Sequence, residues 1–226
     1  MRRLSSAWSA PGAVVAAALL LLAPSVAYAH HLPTSTQMWQ LHSTITMQVT
    51  QGYPGGDHVN RLDSARNEWN AVGTTRTITR DANRIADFNP LAQCPPNVGT
   101  MTVHWIETSS LGYPNALGLS SYCYYIPSGG RASSWMVFDT DQDWYTGTGD
   151  ANDGFLNLCV NGCQIDLWSI ISHEQGHAMG FGHFSGSDSV CGDNSGEHTM
   201  CPTYKGGTER WRTYEAHEKE AFNIAY

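Results

Sequence analysis

Within one stretch of this 226-residue chain, His173, Glu174, His177, Gly180 and His183 stand at spacings that could do metal chemistry. On a helix, residues four apart are rotated by about 40° and raised by about 6 Å, so the imidazoles of His173 and His177 can reach one ion. Zinc takes ring nitrogens at about 2.0–2.1 Å in a tetrahedral arrangement, and one helical turn fills half of it. Gly180 can adopt positive φ, stop the helix and turn the chain so that His183 returns as a third ligand. The fourth position is then left to water. Glu174 projects to one side of the two ligands, so it is better placed to touch that water than the ion. That is the place of a general base in amide hydrolysis. With this chain's own composition, a chance match to the whole set is expected roughly 6 × 10⁻⁵ times. The ligand type leaves iron and cobalt open beside zinc.

These residues need elements to position them. The segment Gln164 to Met179 reads as their helix, with Ile165, Trp168 and Ile171 on its inner face. Thr44 to Thr50 alternates Ile45, Met47 and Val49 on one face, which predicts a half-buried strand. After a Gly/Pro break, Asp57 can cap a helix from His58 to Val72, whose Val59, Leu62, Ala65, Trp69 and Val72 recur at helical spacing. Thr75 to Arg80, Met101 to Glu107 and Ser134 to Asp139 are further strand candidates between Gly, Pro and Asn loops. A last helix is expected from about Thr213, a candidate cap, to the C-terminus. Strands and one helix followed by helices make an α+β pattern.

The run His173-Glu174-x-x-His177-x-x-Gly180-x-x-His183 resembles the zinc signature of the metzincin clan of metalloendopeptidases. Downstream, Thr199-Met200-Cys201-Pro202-Thr203-Tyr204 is similar to the clan's Met-turn, in a form close to the matrixin branch. The resemblance implies a zinc endopeptidase in two lobes, residues 30–183 and 184–226, with extended polypeptide lying across the cleft between them. It implies a twisted, mostly parallel sheet with an antiparallel edge strand, a backing helix, the zinc-site helix and a C-terminal helix. Met200 would floor the three imidazoles and Tyr204 would help wall a substrate pocket. By the same likeness, His58 to Val72 is the backing helix and Ser134 to Asp139 the substrate-binding edge, where an extended peptide gains main-chain hydrogen bonds whatever its sequence. Two departures stand out: no cysteine precedes Cys94 to block the metal in a latent form, and Cys201 sits inside the Met-turn.

The remaining composition narrows the setting. Twelve Lys plus Arg against 20 Asp plus Glu give a net charge of −8, with no basic footprint for nucleic acid or an anionic membrane. Arg2 and Arg3, the apolar run Ala13 to Ala23 and the small-x-small Ala27-Tyr28-Ala29 read as a secretory signal peptide over residues 1–29, and a secreted monomer is expected. Six cysteines in an exported chain suggest disulfides, and short closures favour Cys94 with Cys123, Cys159 with Cys163 and Cys191 with Cys201. A thiolate zinc site on Cys159 and Cys163 is the rival reading. Asp139, Asp141, Asp143, Asp150 and Asp153 form either a solvated acidic loop or a calcium site; Trp144 stands where an EF-hand would need glycine. Two other functional classes compete: a copper monooxygenase beginning at His30 and His31, and an inactive zinc or carbohydrate-binding module using some of the eight Trp.

Overall fold

The computed structural model describes residues 39, 42–124, 131–148, 164–183, 198–201 and 209–226. The signal-peptide segment, His30, His31, Asp150, Asp153, Cys159, Cys163, Cys191 and Tyr204 lie outside the described residues.

Alternation of Ile45, Met47 and Val49 builds β1 (Thr44–Val49), with all three side chains in the core. It pairs in parallel with β2 (Thr77–Arg80) on one side and β3 (Thr100–Trp105) on the other. β3 pairs in parallel with β5 (Arg131–Phe138), and β5 pairs antiparallel with β4 (Gly118–Tyr124). The sheet order is therefore β2-β1-β3-β5-β4. The fold is α+β, with a mostly parallel five-stranded sheet and one antiparallel edge.

That edge is β4 and not the expected Ser134 to Asp139, of which Ser134 to Phe138 belong to β5, a strand paired on both sides. Met136, Val137 and Phe138 are fully buried, as an inner strand requires. The GLSSYCY sequence of β4 carries two serines, a glycine and no clean alternation because its residues are half-buried. A strand paired on one side is released from the hydrophobic pattern that would announce it.

Two helices pack with the sheet around one continuous core. The first, α1 (Asp57–Ala71), begins one residue before the expected start; Gly56 at φ 58° is its N-cap, and Asp57 lies in the first turn, accepting from Asn60, instead of capping. The second, α2 (Leu167–Met179), starts later than Gln164. Asp166 accepts the Ser169 amide at 3.0 Å and fixes the start there, after a two-residue strand β7 (Ile165–Asp166) has paired with β6 (Trp144–Tyr145). Gln175 on α2 reaches the Ala65 carbonyl on α1 at 3.2 Å, locking the two helices together.

The C-terminal helix α3 (Ala216–Ala225) begins after Glu215, not Thr213, because Glu215 and Glu218 form a reciprocal capping box there. A 3₁₀ turn, Glu209–Arg212, precedes it. Trp69 of α1 meets Phe222 at 5.0 Å, Tyr214 at 6.1 Å and Phe181 at 6.3 Å between ring centroids, so the C-terminal segment shares the core of the sheet. Cys94 and Cys123 form the expected disulfide, tying the loop before β3 to the end of β4. Cys201 is disulfide-bonded as well. No described helix is long and apolar enough to cross a membrane.

Candidate metal centre

α2 presents His173 and His177 one turn apart, and Gly180 ends it at φ 115° and ψ 4°. The Gly180 amide donates to the carbonyls of Gly176 and His177, and the Phe181 amide reaches back to Gly176 at 3.0 Å. This left-handed stop satisfies the last carbonyls and reverses the chain. His183 is thereby returned to its partners: the Nε2 atoms of His173, His177 and His183 lie 2.9–3.1 Å from one another. The edge of a zinc–imidazole coordination tetrahedron is about 3.3 Å. Among the described residues, this is the one group of three ligating side chains so arranged.

The hydrogen-bond partners decide which ring atoms face inward. His173 Nδ1 lies 2.6 Å from the Thr199 carbonyl and His177 Nδ1 lies 2.7 Å from the Phe181 carbonyl. A carbonyl can only accept, so each Nδ1 carries the hydrogen and each neutral ring turns a bare Nε2 lone pair toward the other. Two such lone pairs at 3.0 Å repel unless a cation lies between them. Burial, together with the neighbouring imidazole, holds His173 well below the ordinary histidine range, and burial lowers His183. His173 and His183 are thus favoured in the neutral form that ligates. Three imidazoles suit zinc and do not by themselves select it over other late divalent ions.

Glu174 lines the same cleft, 6% exposed, and its Oε2 accepts from Ser120 Oγ at 2.7 Å. Burial pushes its carboxyl up to about 7, against the opposing effect of the Ser120 hydrogen bond. The cleft has a volume of about 560 Å³ and runs between the β4 edge and α2, with Leu117, Leu119, Ile170 and Trp211 among its apolar walls.

Met200 is buried against α2. It packs against Gly176, between the two helical ligands, and a Cβ there would meet its Sδ and approach its Cε to 3.0 Å. The Met200 amide donates to Glu218 at 3.0 Å, which ties this turn to α3. Burial raises the Glu218 carboxyl to about 7, although backbone amides hydrogen-bonded to it pull the other way.

Several residues that hold the site carried no signature. Thr199 serves through its main-chain carbonyl, which any residue possesses. Trp211 stacks on His173 with centroids 5.0 Å apart and planes 14° off parallel. Arg212 grips the Asp166 cap with two nitrogens at 2.8 and 2.9 Å, both residues being buried. Gly176 had a legible signal, a glycine inside a helix, that points to close approach of another group.

Asp139 and Asp143 are engaged in local hydrogen bonds. Asp139 accepts from the Thr108 amide at 3.0 Å and from Gln142 at 2.6 Å, so its oxygens hold a loop together, while Asp143 accepts from Gln164. No cluster containing Asp139, Asp141 and Asp143 with common-ligand spacing forms among the described residues. Every described Trp is buried or half-buried. Comparison with models of protein families and with curated proteins finds no match to this chain.

Proposed function

We propose that this protein is a secreted zinc endopeptidase of metzincin type, near the matrixin branch, acting on extended polypeptide. The observation that carries the reading is the convergence of three imidazole nitrogens in a cleft that also holds a buried carboxylate and is bordered by the edge strand of the described sheet. A divalent ion held by His173, His177 and His183 would supply Lewis acidity, lowering the pKa of water and polarising a carbonyl.

The chain's own groups then have separable tasks. Thr199 and Phe181 fix the tautomer and tilt of two rings through Nδ1. The outer edge of β4 offers its main chain to a substrate strand, and this pairing selects for extended backbone over any particular side chain. Glu174 takes a proton from the attacking water as the O–C bond forms, and passes it to the amine nitrogen as the C–N bond breaks. A carboxyl with a pKa near 7 is matched to giving and taking protons near neutrality.

Purified protein should digest casein and an internally quenched peptide library, lose that activity to a chelator and regain it with zinc. Glu174→Gln should keep its metal while kcat falls by roughly 10²- to 10⁴-fold. Loaded wild-type protein that cleaves no peptide, or a Glu174→Gln variant that cleaves as fast as wild type, would overturn the proposal. Binding of polypeptide without cleavage would assign the inactive-module reading instead.

A further inference from the structure

β4 does more than border the cleft. Residues two apart on a strand share a face, and on β4 Gly118 and Ser120 share the face turned to Glu174. A Cβ at Gly118 would come within 2.8 Å of Glu174 Cγ and 3.1 Å of its Cδ and Oε1. One residue of the strand therefore makes room for this side chain, and the next on that face hydrogen-bonds it through Oγ at 2.7 Å. Among the described residues, Ser120 is the hydrogen-bond partner of the Glu174 carboxylate.

We infer that Ser120 is a positioning residue that holds the Glu174 carboxylate in the cleft through Oε2. The inference rests on the endopeptidase reading and deepens it. A glutamate has three rotatable bonds, and a base that wanders by about 1 Å can cost about 10²-fold in rate. A hydroxyl donates to one carboxylate oxygen while the other is bare or protonated, so the same hydrogen bond persists before and after proton uptake. Ser120 neither gains nor loses a proton over the cycle. Because Ser120 lies on β4, the edge strand of the described sheet, that one element would align substrate backbone and base, and Gly118 keeps it close.

The test compares wild type with Ser120→Ala and Ser120→Thr in three measurements: kcat and KM on a quenched peptide, bound zinc, and the crystal structure of the zinc-loaded protein. Ser120→Ala should lower kcat by roughly 10- to 100-fold with KM and zinc content little changed, and its Glu174 carboxylate should be rotated or spread over several positions. Ser120→Thr, which keeps the hydroxyl, should restore most of kcat and the ordered carboxylate. Wild-type kcat in Ser120→Ala, or a Glu174 carboxylate in its original place without the hydroxyl, would overturn the inference. If zinc-loaded wild type cleaves nothing, the endopeptidase reading fails, and the position of Glu174 in the Ser120→Ala crystal still decides the positioning role.

Discussion

Replacing Gly176 by alanine sets two effects of opposite sign against each other. Gly176 lies inside α2, where alanine should favour the helix by about 1 kcal/mol. Against this, the new Cβ would be 3.0 Å from Met200 Cε and closer still to Sδ, where comfortable separations are about 3.5–4.0 Å. Met200 would have to retreat by about 1 Å or more. It is 3% exposed, and its amide is tied to Glu218, so the turn has little room to yield. Overpacking of this kind costs about 1–3 kcal/mol. The net expectation is a loss of up to about 2 kcal/mol, which in a chain of this size lowers Tm by roughly 2–4 °C per kcal/mol. The same retreat should pull Thr199 away from His173 and weaken metal binding by about 10-fold or more. Scanning calorimetry with and without zinc, with a competitive chelator titration, reads both effects. Met200→Ala made in the Gly176→Ala background should cost less than in wild type. A Gly176→Ala protein that melts higher and binds zinc as tightly as wild type would refute the packing of Met200 against α2.

Asp166→Ala removes the N-cap of α2 and the carboxylate that Arg212 grips, and urea denaturation should show a loss of about 3–5 kcal/mol; a loss under 1 kcal/mol would show that the pair is incidental. His104, buried on β3 beside Thr102 and Phe88, is lowered to about 4, chiefly by desolvation. The unfolded chain takes up this proton near pH 6.5 and the native state only near 4, so the stability it contributes is present above pH 6.5 and falls on acidification by up to about 3 kcal/mol. Urea midpoints at pH 7, 5.5 and 4.5 should therefore decline less steeply in His104→Gln than in wild type, and parallel declines would count against it. Glu218 acts in the opposite direction. Its folded pKa is raised to about 7, so its burial costs stability above that pH and the cost is relieved as pH falls toward 4.5. Glu218→Gln should steepen the acid decline, and an unchanged slope would show that Glu218 does not titrate in this window.

The ligand set was legible from sequence because its geometry is local. Helical spacing brings His173 and His177 together, and one glycine with positive φ returns His183, so no distant part of the chain is needed to predict three converging rings. The Cys94–Cys123 pairing was legible for a similar reason, since short closures cost the least entropy. Helix starts were less so: Asp57, Gln164 and Thr213 were each displaced as boundaries, two of them by side chains, Asp166 and Glu215, that bond the first amides. Only the tertiary structure decided that β4 is the antiparallel edge, because a strand bonded on one side and half-open to a cleft need not alternate. It also decided the supports: the Thr199 carbonyl behind His173, Met200 against Gly176, Arg212 on the helix cap and Ser120 on Glu174. Each joins residues far apart in the chain, through groups such as a carbonyl or a hydroxyl that are common everywhere and acquire a role only by where folding places them.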